Sequence, residues 1–290
     1  MSVQGLEPLK ARRFKIQNRA LRRFLSRPVA LIAGLVILFF VIIAVFAPQL
    51  APYDPAKPDF VSVRKPPSDT YLLGTDENGR DILSRVIYGA RASLVAGVIS
   101  VFIAVLLGVP FGLISGYYSG FLDEVIMRFT DALLAFPFLI LAVALAAALG
   151  PSLTNAMIAI GIASTPAFIR LTRGQVLSVK AEEFVQAAKA SGARDWRIIL
   201  LYVLPNSFAP ILVQATVTIA GAIIAESSLS FLGLGVQPPT PSWGGMLNVA
   251  KNYMNQAPWM AVWPGLSIFV TVLAFNLFGD GLRDAFDPRD

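Results

Sequence analysis

The chain has 290 residues and contains no cysteine and no histidine. Disulfides, the usual Cys/His zinc sites and any nucleophile activated by histidine are therefore excluded. Charged residues are scarce as well, at 14% of the sequence, whereas an average soluble domain has roughly 25%. Hydrophobic residues make up 56%. Because such a chain cannot cover a water-exposed surface with polar groups, we expect it to lie in a lipid bilayer.

The net charge of +6 does not by itself indicate nucleic-acid binding. Eight basic residues precede the first apolar segment: Lys10, Arg12, Arg13, Lys15, Arg19, Arg22, Arg23 and Arg27. This clustering is typical of the cytoplasmic flank of a membrane span. Residues 10–27 form either an amphipathic helix at the membrane interface or a disordered basic tail, and the sequence favours neither.

Six apolar segments predict an all-α integral membrane protein with about six transmembrane helices. They are Val29–Ala47, Leu94–Ile114, Val125–Leu149, Ala156–Leu171, Ser207–Ala225 and Met260–Phe278. The first is longer than the apolar core of a signal peptide, so we expect a retained span. Most basic residues fall on the N-terminal side of the predicted membrane, which places both termini in the cytoplasm.

Glycine and proline predict the details of these segments. Residues 48–70 are proline-rich and form an irregular loop, and Ile82–Ser93 is expected to be a separate helix along the interface. In the second span, a face of small residues predicts close helix packing. Its members are Gly108, Gly112, Gly116 and Gly120. Pro110 is expected to kink this span, and Ala135-Phe-Pro137 to break the third.

A polar segment, Leu171–Pro205, separates the fourth and fifth spans on the predicted cytoplasmic side. It predicts two short helices, Ala181–Ser191 and Asp195–Leu204. Gly192 ends the first, because glycine adopts a left-handed conformation at little cost, and Asp195 caps the second. Trp196, Ile199, Leu200 and Val203 share one apolar face, and Pro205 redirects the chain. Periodicity alone slightly favours an ordinary interfacial loop over a docking element.

Several charged residues have two interpretations each. For Glu226 we expect an interfacial or capping role rather than a functional acid within a span. Asp131 and Arg128 are expected to form a local ion pair rather than a proton relay. Asp76, Arg80 and Asp81 are expected to hydrogen-bond within a turn at the external face rather than to coordinate an ion.

The stretch Gln186-Ala-Ala-Lys-Ala-Ser-Gly192, followed after nine residues by Tyr202-Val-Leu204-Pro205, resembles the EAA signature of ABC importer permeases. Two positions differ, since Gln186 replaces the usual Glu and Tyr202 the usual Ile. Leu73-Gly-Thr-Asp-Glu-Asn-Gly-Arg-Asp81 followed by Tyr88-Gly-Ala-Arg91 resembles a motif of the dipeptide, oligopeptide and nickel permeases, and so do Ser228–Gly235 and Pro241–Gly245. The chain is similar to the shorter of their two permease subunits over nearly its whole length.

This resemblance implies a type I ABC importer permease in a bacterial or archaeal cytoplasmic membrane. It implies a homologous second permease, two cytoplasmic ATPase subunits that bind ATP and Mg, and an external solute-binding protein. The chain itself is then no enzyme, has no cofactor or metal, and binds no nucleic acid. The implied ATPase-coupling residues are Gln186, Ala187, Ala188, Gly192, Leu204 and Pro205, and the implied external-face motif is Gly74, Thr75, Asp76, Gly79, Arg80 and Asp81.

The corresponding organisation has five parts. A basic cytoplasmic segment (1–28) precedes the first span (29–47), an external loop (48–88), a permease core (89–282) with a coupling segment (171–206), and a cytoplasmic tail (283–290). A secondary carrier would be expected to have ionisable groups at mid-membrane and an internal repeat, which the sequence does not show. An intramembrane enzyme would need catalytic side chains at that depth, and the sequence offers no histidine, no cysteine and no carboxylate pair there. The solute, whether dipeptide, oligopeptide, nickel chelate or sugar, does not follow from the sequence.

Overall fold

A computed structural model of the chain describes residues 22–286. Most of the predicted N-terminal interfacial segment, at residues 10–21, and the last four residues of the tail lie outside this range. The α-helices of eight or more residues in this range are α1 (Pro28–Val45), α2 (Ile82–Tyr118), α3 (Gly120–Leu134), α4 (Phe138–Leu149), α5 (Leu153–Lys180), α6 (Glu183–Ala190), α7 (Leu204–Phe231), α8 (Trp243–Ala250) and α9 (Trp259–Phe286). Single helical turns lie at Ala47–Leu50 and Asp195–Ile198. The all-α fold class is confirmed.

Four helices in residues 22–286 are long and apolar enough to cross a membrane: α1, α2, the continuous helical stretch Asp195–Phe231 and α9. The pair α3 and α4 makes a fifth span if it is counted as one, although it bends by 91° at the predicted break. The predicted fourth span lies in α5, whose 28 residues are less apolar. Six spans and two cytoplasmic termini therefore stay predictions.

Helix α2 is a single helix of 37 residues, so the prediction of a separate interfacial helix at Ile82–Ser93 is wrong. Asp81 caps the start of the helix, because its side chain accepts a hydrogen bond of 2.8 Å from the backbone amide of Ser84. At 1.5 Å per residue α2 is about 55 Å long, which exceeds the roughly 30 Å hydrocarbon core. Pro110 lies inside the helix without ending it.

Three of the four predicted small residues bring α2 against α5. A Cβ atom at Gly108 would lie 2.5 Å from the Cβ of Phe168, and one at Gly116 would lie 2.7 Å from the Cβ of Val176. Gly112 approaches Thr172 in the same way. Gly120 does not belong to this face: it begins α3 with a φ of +64° and has no neighbour that a Cβ would meet within 4 Å.

The later helices extend beyond the predicted apolar segments. Helix α5 continues through Arg170 and Arg173 to Lys180, beyond the predicted fourth span, Ala156–Leu171, and the membrane boundaries of that span stay a prediction. Polar side chains lower the hydropathy of these ends without interrupting the backbone hydrogen bonds. The core lies where α2, α5 and α7 meet, with fully buried side chains from all three, and the outer faces of α1, α2 and α9 remain apolar and exposed.

Candidate coupling and external-face sites

Helix α6 presents the first predicted site. It spans Glu183–Ala190, and Gly192 follows it with a φ of +77°. The amide of Gly192 donates to the carbonyl of Lys189 at 3.0 Å, and the amide of Ala193 donates to that of Ala188 at 3.1 Å. These two bonds satisfy carbonyls at the end of the helix in a Schellman motif. The predicted helix and its glycine end are both confirmed.

Gln186 makes a hydrogen bond through its side-chain NH₂ group, which glutamate does not have. Its side-chain amide Nε2 donates a hydrogen bond of 2.8 Å to the backbone carbonyl of Lys180, at the end of α5. A carboxylate at this position has no proton to donate and would face the negative end of the α5 dipole. The departure from the EAA signature therefore has a structural use, because the amide holds α6 to the end of α5.

Asp195 does not cap a helix, contrary to the prediction. The following helical turn, Asp195–Ile198, begins after Arg194 and has no side-chain cap. Instead, the hydroxyl of Tyr117 donates to Oδ1 of Asp195 at 2.8 Å. The ammonium of Lys180 donates to the carbonyl of Tyr117 at 2.5 Å and lies 5.3 Å from the centre of its ring. The C-terminal end of α2 is thus tied to both sides of α6.

Pro205 does not redirect the chain, because the helical backbone runs through it from Asp195 to Phe231. Residues Ile199–Val203 form a π-helical turn, in which the amide of Leu204 donates to the carbonyl of Ile199. Proline has no amide hydrogen, and its ring crowds the preceding turn of an α-helix. The wider π turn directly before Pro205 accommodates the proline without a break.

The apolar stripe predicted after Asp195 is divided between the surface and the core, with Ile199 half-buried against the core. Trp196 is 58% exposed and Leu200 is 50% exposed, whereas Ile198 and Val203 are fully buried. On α6, Val185 points into the core, while Phe184 and Ala187 are exposed. Large apolar side chains therefore face outward at the end of the molecule where α2 and α5 finish.

Two ion pairs join α3 to α5, and neither was predicted. Arg173 makes a bidentate pair with Asp123, at 2.6 Å and 2.7 Å, and Ser115 of α2 donates to the same carboxylate. Arg170 pairs with Asp131 at 2.7 Å. The predicted pair of Asp131 with Arg128 is wrong, since Arg128 lies 3.6 Å from Glu124 instead. The spacing within α3 suggested the local pair, and no sequence signal pointed to partners about 40 to 50 residues away.

The external-face motif forms a compact, buried turn. The Arg80 guanidinium pairs with Asp76 at 2.7 Å and with Glu77 at 2.5 Å, and Arg85 lies 3.3 Å from Asp76. Asp81 caps α2. The expected hydrogen bonding within a turn is confirmed, and within residues 22–286 no cluster of three His, Cys, Asp or Glu side chains could hold a metal ion.

Two glycines and one tryptophan fix this turn on the fold. Gly74 and Gly79 have φ values of +81° and +75°, and a Cβ at Gly79 would collide with the backbone of Asp59. The indole of Trp259, at the start of α9, donates to the carbonyl of Thr75 at 3.2 Å. Burial raises the pKa of the Glu77 carboxyl, and the nearby Asp76 raises it further, although Arg80 opposes both.

Glu226 is fully buried inside α7, so the expected interfacial or capping role is wrong. Its carboxyl accepts from the hydroxyl of Ser93 on α2 at 3.0 Å and from that of Ser230 at 2.7 Å. Trp243, also fully buried, donates from its indole to the carbonyl of Val86 at 3.0 Å. The later sequence motifs therefore join α7 and α8 to the first half of α2.

Two models of known protein families match the sequence of this chain. Residues 108–289 match the model of the family described as binding-protein-dependent transport system inner membrane component. Residues 18–67 match the model described as the N-terminal TM domain of oligopeptide transport permease C.

Two curated proteins are similar over nearly their whole length. The chain is 47% identical to the glutathione transport system permease protein GsiD of Pectobacterium atrosepticum, covering 92% of this chain and 89% of that protein. It is 46% identical to the dipeptide transport system permease protein DppC of Alkalihalophilus pseudofirmus, and the alignment covers 94% of this chain and 90% of that protein. A chain of the MetNI methionine ABC transporter, crystallised in an inward-facing conformation, has a similar fold with a TM-score of 0.58. The two sequences are 17% identical, and the alignment covers 71% of this chain and 98% of the MetNI chain.

Proposed function

The chain belongs to the family of binding-protein-dependent transport system inner membrane components, and on this premise we propose that it forms, with a homologous second permease, the path by which peptides or related small solutes enter the cell. It is a permease subunit of an ATP-driven importer in the cytoplasmic membrane. Family membership implies ATPase and binding-protein partners. The finer composition, two ATPase subunits that bind ATP and Mg and one external solute-binding protein, is part of the proposal.

The observation that carries the coupling role is the fixed and exposed helix α6. Its end is set by Gly192, its start is held by the Gln186 amide, and its neighbouring turn is bonded to Tyr117. Ala187 is exposed, which lets the groove of an ATPase subunit approach the α6 backbone, while Ala188 packs against the core. Because packed cores move as units, displacement of α6 would be passed to α2, α5 and α7.

In this mechanism ATP binding closes the ATPase dimer and moves α6 as a rigid lever. Leu204 and Pro205 carry the movement into α7 without a break, since the π turn keeps the helix continuous. The chain supplies no phosphate-binding loop of the form G-x-x-x-x-G-K-[ST], so the nucleotide belongs to the partner subunits. The proposed coupling segment is residues 171–206, and the proposed permease core, residues 89–282, is extended at its start to Ile82, where α2 begins.

Peptides are the favoured solutes because the two curated relatives are named for glutathione and dipeptide transport. The test is uptake by the complete importer in proteoliposomes, with ATP on the ATPase side and the loaded binding protein on the other. We expect ATP-dependent uptake of a radiolabelled dipeptide or glutathione, and little competition from a nickel chelate or a sugar. Uptake by this chain alone, without ATPase subunits, would contradict the proposal.

A second experiment isolates the docking contact. Ala187→Trp places a large ring on the exposed side of α6 and is expected to prevent the ATPase subunits from co-purifying. Ala181→Trp is the control, because Ala181 is also exposed but lies before α6. Equal recovery of ATPase subunits with both variants would show that α6 is not the docking element.

A further inference from the structure

The loop between α1 and α2 exposes two adjacent apolar side chains. Phe60 is 75% exposed and Val61 is 84% exposed, in a short 3-10 turn that spans Phe60–Ser62. Isolated apolar residues are common on protein surfaces. An adjacent pair at this degree of exposure is a candidate contact for another surface, because covering it removes apolar area from water.

The backbone of this turn is held in place by the external-face motif. The side chain of Asp59 accepts from the amide of Val61 at 3.1 Å, and the amide of Asp59 donates to the carbonyl of Asn78 at 3.0 Å. The hydroxyl of Thr75 donates to the carbonyl of Ser62. Gly79 leaves no space between the two segments. A partner would therefore bind an apolar pair that is already ordered, which lowers the entropy cost of association.

The surroundings of the pair are those of a surface in water. Lys57, Asp59, Arg64 and Lys65 flank it in the sequence. Hydrogen bonds from the Ser62 side chain and the Val61 amide hold the pKa of Asp59 below its ordinary value, so this carboxylate stays ionised. Placing an ionised group in hydrocarbon is costly, and a lipid tail is accordingly a poor occupant for the pair.

The position of the turn identifies the kind of partner. The external-face motif leads directly into the first residue of α2, whereas Tyr117 at the other end of α2 contacts the coupling segment. About 55 Å of helix separates these two ends, which is more than the thickness of the hydrocarbon core. The turn consequently lies on the opposite side of the membrane from the ATPase subunits. The family is described as binding-protein-dependent, and the proposed function puts the solute-binding protein on that side.

We infer that Phe60 and Val61 anchor the external solute-binding protein by packing into an apolar depression on its surface. This inference rests on the proposed function, and it adds a contact residue pair to it. The ordered pair would supply the binding energy, and the charged residues around it would form the polar rim that is usual for such interfaces.

The test uses the complete importer in nanodiscs, titrated with its solute-binding protein while ATPase activity is measured. Replacing both residues, Phe60→Ser with Val61→Ser, is expected to raise the half-saturating concentration of binding protein about tenfold or more. The basal ATPase rate and the maximal stimulated rate should be retained. Leu72→Ser is the matched control, because Leu72 is 59% exposed in the same loop and is not part of the turn.

The outcomes separate the two proposals. If the binding protein fails to stimulate the wild-type importer, the proposed function fails. If it stimulates the wild type and the double variant at the same concentration, the anchor fails alone. Loss of the second permease from the purified double variant would overturn the inference in favour of a contact between permeases.

Because the chain has no cysteine, Phe60→Cys can carry a single fluorophore. Shielding of this fluorophore from an aqueous quencher on addition of binding protein is the expected result. Quenching by a lipid-borne quencher would overturn the inference.

Discussion

The hydroxyl of Tyr117 donates a 2.8 Å hydrogen bond to the carboxylate of Asp195, a residue 78 positions later in the chain. Tyr117 is the penultimate residue of α2, and Asp195 begins the helical turn after α6. The bond joins the 37-residue helix α2 to the segment proposed to contact the ATPase subunits. Asp195 is the first residue of its turn and Arg194 occupies the cap position, so the Asp195 carboxylate serves this contact rather than a cap.

Removal of this hydrogen bond is expected to uncouple transport. In Tyr117→Phe the ring remains and only the donor is lost, and a hydrogen bond to a charged group contributes about 1.5–3 kcal/mol. We expect solute uptake per ATP hydrolysed to fall several-fold in proteoliposomes, with normal membrane insertion. Tyr118→Phe, a neighbouring half-exposed tyrosine, is the control. An unchanged ratio of uptake to hydrolysis in Tyr117→Phe would argue against this link.

Substitution of Gly192 is expected to have its effect through the backbone conformation rather than through a steric clash. Its φ is +77°, and a Cβ there would meet no atom within 4 Å. Gly192→Val should therefore cost about 1–2 kcal/mol of local stability and change the angle of α6, because a β-branched residue avoids this region. The expected result is ATPase activity with reduced uptake. Gly192→Asn, which tolerates a left-handed conformation better, should restore part of the uptake; equal defects in both variants would not fit this explanation.

Gln186→Glu introduces the residue usual in the EAA signature and removes the donor to the carbonyl of Lys180. We expect the start of α6 to loosen by about 1 kcal/mol, the typical net contribution of one hydrogen bond. Hydrogen–deuterium exchange over residues 183–190 should then be faster than in the wild type. Ala190→Glu adds the same charge elsewhere on α6 and should have a smaller effect. Similar exchange rates in Gln186→Glu and the wild type would show that the amide is not needed.

The close packing of α2 on α5 is expected to be intolerant of one added methyl group. In Gly112→Ala the new Cβ would lie 2.6 Å from the Cβ of Thr172 and 2.8 Å from the carbonyl of Ile169. Overpacking of this kind costs about 1–3 kcal/mol, so the melting temperature in detergent should fall. Gly221→Ala is the matched control, because Gly221 lies in α7 with no atom within 4 Å of an added Cβ. Equal melting temperatures for the two variants would contradict the packing argument.

Glu77 gives the external turn a predictable dependence on pH. Its folded pKa is raised by burial and by Asp76, so the folded state binds this proton more tightly than the unfolded state does. Its contribution to stability is therefore largest below the unfolded pKa and is lost as the pH rises through the raised value. Glu77→Gln stays neutral, so the wild type should lose stability relative to this variant as the pH increases across that window. Thermal melts at a series of pH values measure this difference, and a difference of the opposite sign would be inconsistent with the raised pKa.

The local features of the fold followed from the sequence because each depends on neighbouring residues. The apolar segments indicated the membrane class, Gly192 ended α6, and the proline at 137 broke the helix between α3 and α4. The glycine repeat in α2 predicted the packing face, although not its partner. Helices continue past the predicted apolar segments wherever polar side chains follow, as in α5 and α7, because hydropathy does not measure backbone hydrogen bonding.

Contacts between distant residues were decided only by the tertiary structure. Asp131 pairs with Arg170 rather than with Arg128, and Asp123 pairs with Arg173. The buried carboxyl of Glu226 accepts a hydrogen bond from Ser93. Each choice depends on how α2, α3, α5 and α7 pack, and any of several charged or polar residues would satisfy the sequence pattern equally well. The amino-acid sequence by itself determined an all-helical membrane protein in which a glycine ends the short helix α6, while packing determined which side chains hold that helix to the rest of the molecule.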